Sequence, residues 1–149
     1  MRAPVAFRHV FVDTAPEPLD PGVLYVSTRY RSVVHLCACG CGTTVVTPLR
    51  PVDWKLIFDG VSISLEPSVG NWSLPCRSHY WIRNNKAHWA GDMPDWKIAA
   101  NRERDKRDRD RYFGQNPVDA SSPMQPAAPV VQAVHASRLR TWLKAIKLW

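Results

Sequence analysis

Three thiols fall on alternate residues in the stretch HLCACGCGTT at positions 35–44: Cys37, Cys39 and Cys41, separated by Ala38 and Gly40. The remaining cysteine, Cys76, stands in PCRSHYWI with His79 three residues on. Zinc takes four tetrahedral ligands drawn from thiolate and imidazole, often as two pairs carried on separate hairpins. One segment offers three cysteines and the other a Cys-x-x-His pair. Cys37, Cys39, Cys41, Cys76 and His79 are therefore five candidates for four places. Gly40 and Gly42 suit the tight backbone that lets thiolates converge. A zinc site is the reading these spacings favour. Three others stand beside it: a disulfide, which a reducing compartment disfavours; buried thiols packed as small hydrophobes; and an iron–sulfur cluster. A Rieske-type cluster needs a His in its first pair, where this chain has Cys-x-Cys with His35 outside it.

A closed, thiolate-rich zinc site holds a fold together and leaves no coordination place for water. A small domain with a modest core gains folding energy from such a staple. The sharper alternative uses the surplus ligand: a Cys or His79 left unbound would stand near the metal as a nucleophile or base. Glu66, Ser68 and Ser78 are close enough in sequence to join it. No Ser-His-Asp or His-Glu-x-x-His pattern can be read from one dimension, so the sequence assigns no catalytic residue.

The elements that must position these side chains are short and β-rich. VLYVSTRY (23–30), SVVHLC (32–37), TTVVTPL (43–49), WKLIFD (54–59) and VSISLEP (61–67) are dense in Val, Ile, Thr and aromatics, the composition of strands. Asp59-Gly60 signals a tight turn between two of them. HYWIRNNKAHW (79–89) reads as strand, Asn-Asn turn, strand. Five Trp residues, at 54, 72, 81, 89 and 96, are available to fill a small core. The expected fold is mainly β, a small antiparallel sheet stapled by zinc over residues 1–100, with a helical C-terminal extension.

From about residue 95 the pattern changes. DWKIAANRERDKRDRDRYF lacks Gly and Pro, and Arg102–Arg111 carries six basic and four acidic residues. That alternation predicts a solvated helix over 101–113, laced with weak ion pairs rather than a nucleic-acid arm. A Pro/Ala/Ser-rich linker follows over 114–136, a composition that buries too little apolar surface to order itself. Residues 137–149 then read as an amphipathic helix capped by Ser137. Leu139, Trp142, Leu143 and Ile146 form its apolar stripe. Its expected role is docking on protein.

The 149 residues carry a net charge of +7. That balance permits nucleic acid, acidic protein or an anionic membrane as partners, and favours none outright. No run reaches the roughly 18 apolar residues of a membrane-spanning helix. The N-terminus also lacks the apolar core and small-residue cleavage site of a secretory signal. A cytoplasmic setting is the expectation.

CACGCG, a Trp some dozen residues on, SLEPSVGNW, and PCRSHYWI running on to His88-Trp89 together resemble one bacterial domain family over roughly residues 23–90. Its members are met beside genes for ubiquitin-like proteins and their activating and conjugating enzymes. The resemblance implies a peptidase that processes or releases the ubiquitin-like protein, with that protein or its conjugation enzymes as partners. It also makes Cys37, Cys39, Cys41, Cys76 and His79 motif positions. A non-enzymatic zinc module binding protein or nucleic acid is the alternative from another class.

Overall fold

A computed structural model describes residues 3–115. Nine strands form two sheets: β1 Val5–Ala6, β2 Arg8–Phe11, β3 Val23–Ser27, β4 Ser32–Leu36, β5 Thr44–Pro48, β6 Lys55–Phe58, β7 Ile63–Gly70, β8 His79–Arg83 and β9 Lys86–Trp89. One sheet runs β1-β9-β8-β7-β6 and the other β2-β3-β4-β5. The fold is mainly β, as the composition predicts. Every pairing is antiparallel except β2 on β3. The sequence reading did not foresee β1, β2 or that parallel pair.

The two sheets share one core because their alternating residues face each other. Leu24, Val26 and Val33 from one sheet meet Ile63, Leu65, Val69, Tyr80, Ile82 and Ala87 from the other. Phe7, at the point where the chain passes from β1 to β2, joins them. Each fully buried aliphatic side chain contributes roughly 1.5–3 kcal/mol of transfer free energy. The opposite side chains of β3, Val23 and Tyr25, are buried as well, under Ala15 with Val10, Val12 and Leu19. β3 is therefore covered on both faces and reads in sequence as a continuous apolar run.

The Asp59-Gly60 turn forms as expected. Asp59 Oδ1 accepts the amides of Val61 and Ser62, and Gly60 takes φ 93°. In the β8–β9 hairpin both Asn84 and Asn85 hold positive φ, and the Asn85 side chain accepts the Ile63 amide.

Among the described residues a single helix, α1 Asp95–Gln115, follows the sheets, longer at both ends than the charge pattern alone marks. Only Ile98 is buried. Its remaining ties are polar and lie along loops: Asp95 to Arg77 at 2.9 Å, Arg102 to Ser73 at 3.0 Å, Arg109 to Asp53 at 3.5 Å, and Phe113 beneath Arg50. No helix among the described residues is long and apolar enough to cross a membrane. Apart from Gly114 and Gln115, which end α1, the expected linker over 114–136 and the helix over 137–149 lie outside the described residues.

Candidate active site and cysteine cluster

The β7–β8 hairpin has two chemically distinct faces, and strand periodicity assigns them. Asn71 N–H donates to the Ser78 carbonyl at 2.8 Å, while the His79 carbonyl accepts Ala90 N–H from the β9 side. Gly70 and His79 are thus directly opposite without exchanging main-chain bonds, the arrangement that brings facing side chains closest. Ser68 lies in the register shift between Leu65 and Val69 and Trp72 just past the strand end, and both side chains reach His79. His79 Nε2 and Ser68 Oγ stand 2.9 Å apart.

The imidazole is oriented by the chain itself. His79 Nδ1 is 2.8 Å from the Gly91 carbonyl oxygen. A carbonyl only accepts, so Nδ1 carries the proton and Nε2 is left as the acceptor for the Ser68 hydroxyl. Trp72 packs on the ring, with centroids 4.8 Å apart and planes tilted by 56°. The indole lies where a side chain at position 70 would be: a Cβ there would come within 2.3 Å of Trp72 Nε1. Glycine at 70 is therefore a requirement of the indole's position. Arg77 sits 5.8 Å from the Trp72 centroid and pairs with Asp92 and Asp95. A hydroxyl bonded to an imidazole that is itself held by a third group is the arrangement of an activated nucleophile.

The other face carries the thiols. The Sγ atoms of Cys37, Cys39, Cys41 and Cys76 all lie within 4.8 Å of one another. Cys37 to Cys39 is 3.3 Å, Cys41 to Cys76 3.9 Å and Cys37 to Cys76 4.0 Å. Four thiolates about 2.3 Å from one tetrahedral zinc stand about 3.8 Å apart, so the donor set and its spacing fit a metal ion. Gly40 and Gly42 hold φ of 84° and 74°, and they turn the chain so that three alternate cysteines reach one point. The Thr43 hydroxyl and amide hydrogen-bond Cys41 and hold its thiol down to about 6; burial pushes Cys39 up to about 12. The free thiols are thus unevenly ionised, and a dication would favour thiolate at all four.

A buried polar chain runs inward from the thiol face. Ser78 Oγ lies 3.0 Å from Cys37 Sγ and accepts Asn71 Nδ2–H at 2.8 Å. Asn71 also reaches the Tyr80 hydroxyl at 3.4 Å, which in turn lies 2.9 Å from His35 Nε2. Burial drives His35 down to about 4, so it stays a neutral imidazole.

Of the five ligand candidates, then, the structure gathers Cys37, Cys39, Cys41 and Cys76, and holds His79 apart with Ser68 and Gly91. Ser78 belongs to the cysteine side, and Glu66 is exposed two residues before Ser68. Asn71, Tyr80 and Gly91 were not singled out from sequence, and Trp72 was read only as a candidate for the core. The Ser-x-Gly-x-Trp spacing over 68–72 was the available signal.

A family model described as bacterial ubiquitination-like system serine protease (BubE) matches residues 11–90, which contain both faces of the hairpin apart from the Gly91 carbonyl. The chain belongs to that family. Neither a curated protein nor a solved structure matches it.

Proposed function

We propose that the chain is a serine protease acting on a ubiquitin-like protein, with Ser68 as nucleophile, His79 as general base and the four cysteines as ligands of a structural zinc. The observation that carries this reading is the 2.9 Å contact between Ser68 Oγ and His79 Nε2, with Nδ1 anchored on Gly91. The family description supplies the reaction class.

In the proposed reaction Ser68 Oγ attacks the scissile carbonyl while its proton passes to His79 Nε2. The imidazolium formed keeps its Nδ1–H on the Gly91 carbonyl, which here occupies the place a carboxylate has in a triad. As the tetrahedral centre collapses, the C–N bond breaks and Nε2–H protonates the leaving amine. Water, deprotonated by the same nitrogen, then releases the acyl group from Ser68. Zinc at the cysteines would fix the loop over 37–43 against the turn over 71–78 and supply folding energy rather than a reacting water. A cluster of four thiols on the face opposite Ser68 supports that role.

Incubating the protein with the ubiquitin-like protein encoded beside it, and measuring intact masses, tests the reading. Cleavage near one terminus, abolished by Ser68→Ala and by His79→Ala, is expected. Cleavage that survives Ser68→Ala would overturn it, and no cleavage with metal fully loaded would favour a non-enzymatic zinc module.

A further inference from the structure

β6 pairs with β7 only from Phe58↔Ile63 to Lys55↔Glu66. Before Lys55 the chain leaves the sheet, and Trp54 N–H donates to the Pro48 carbonyl of the other sheet's edge strand. Beyond Glu66, β7 passes through a register shift at Pro67 and Ser68, and Val69 and Gly70 then pair with β8 alone. Half of an otherwise interior strand is therefore an edge, and the nucleophile lies in that half.

The register says which main-chain groups the edge presents. Val69 is opposite Tyr80, and Asn71 N–H is bonded to the Ser78 carbonyl, so the odd-numbered residues turn their amides toward β8. Gly70 turns its amide the other way, whereas Ser68 lies within the register shift between Leu65 and Val69. No main-chain bond to Ser68 or Gly70 on that side occurs among the described residues. Glu66, Pro67 and Gly70 are exposed there. Pro67 offers no N–H, so the main-chain donor and acceptor that the ladder places on this side are those of Gly70.

We propose that this edge is the substrate-binding strand: an extended polypeptide adds to β7 in line with β6, pairs with Gly70, and is thereby carried past Ser68 Oγ. The inference rests on Ser68 as nucleophile and names the substrate class, which is an unstructured segment or tail rather than a loop held within a folded domain. An unpaired strand edge is a template for a further chain, and main-chain bonds of this kind bind extended peptides with little regard for sequence. The same geometry explains why an exposed glycine serves at 70. A side chain there would displace Trp72 from His79 on the face where the scissile bond must settle.

The test uses the full-length protein and two probes. A fluorophosphonate first reports whether Ser68 is a reactive nucleophile, by labelling that Ser68→Ala abolishes. A library of unstructured synthetic peptides is then digested, and the best-cleaved peptide is remade with single N-methyl amides along its length. Strand addition predicts a two-residue alternation. Methyl groups on the amides that face β7 lower kcat/KM roughly tenfold or more, each removing a main-chain hydrogen bond, and those between them have little effect. Labelled Ser68 with no cleaved peptide, or cleavage with no alternation, overturns strand addition while leaving the nucleophile intact. Absence of labelling overturns the Ser68 reading and this proposal with it.

Discussion

Ser68 and His79 are eleven positions apart in sequence and 2.9 Å apart in space. That proximity is created by the length of the turn over 71–78, which sets Gly70 opposite His79, and by the register shift in which Ser68 lies. A one-residue change in that turn would send His79 to the other face, which is why the pair could not be read from composition or spacing. The thiols were legible for the opposite reason: Cys37, Cys39 and Cys41 are neighbours in sequence, and few residue types gather so tightly without a ligand to hold. His79 was grouped with them because Cys-x-x-His is a ligand spacing on a turn or helix. In β8 the alternation of a strand applies instead, and His79 faces away from Cys37 and its partner Ser78. Ser68→Ala should lower the rate of peptide cleavage at least about a thousandfold, with circular dichroism and melting temperature unchanged. Trp72 has a subtler part, since it touches the imidazole rather than the reacting bond. Trp72→Ala, and Gly70→Ala by displacing the indole, should each lower kcat roughly tenfold with a smaller change in KM, the cost of one aromatic contact. An unchanged kcat in both would show that Gly91 alone holds the ring.

At the scale of elements, strands with a strong period were legible and short ones were not. The runs at 23–30, 32–37, 43–49, 54–59, 61–67 and 79–89 each contain an observed strand or hairpin, because each is dense in β-branched, aromatic or aliphatic residues and bounded by turn residues. β1 and β2 are short and separated by Phe7 alone, and β2 is paired in parallel, a choice made by tertiary contacts and not by its own residues. The hairpin β7–β8 couples the two chemical faces: Cys76, Ser78 and Asn71 look one way, His79 and Ser68 the other. On the proposed reading, removing zinc from the four cysteines should therefore reach Ser68 and His79 through the backbone. A strong chelator is expected to lower melting temperature and peptide cleavage together, and zinc, not magnesium, should restore both. Cys76→Ser should do the same without chelator, with loss of about one zinc per chain by elemental analysis. Lost cleavage with melting unchanged would instead assign the metal to the chemistry.

Across the whole molecule the described chain is a two-sheet body with one helix laid along its loops. The sheets share a continuous apolar core, whereas α1 buries only Ile98 and is otherwise held at Arg77, Ser73, Asp53 and Arg50. The Arg77–Asp95 pair is exposed, and such pairs are worth about 0–1 kcal/mol each and are screened by salt, whereas Asp53, which holds Arg109, is largely buried. The sheet core is insensitive to that screening. Raising sodium chloride to about 1 M, where the screening length falls to about 3 Å, should accelerate amide hydrogen exchange in α1 while β3, β4, β7 and β8 keep their protection. Local opening of this kind needs no loss of global stability. The helix is tied to Ser73, beyond Trp72, and to Arg77, beneath which Trp72 lies, so loosening it should also relax the indole over His79. Peptide cleavage should therefore decline with salt more steeply than melting temperature does, and Arg77→Ala should mimic that decline at low salt. Equal protection of α1 and the sheets at every salt concentration would show instead that Ile98 and the helix backbone anchor it, with the ion pairs incidental.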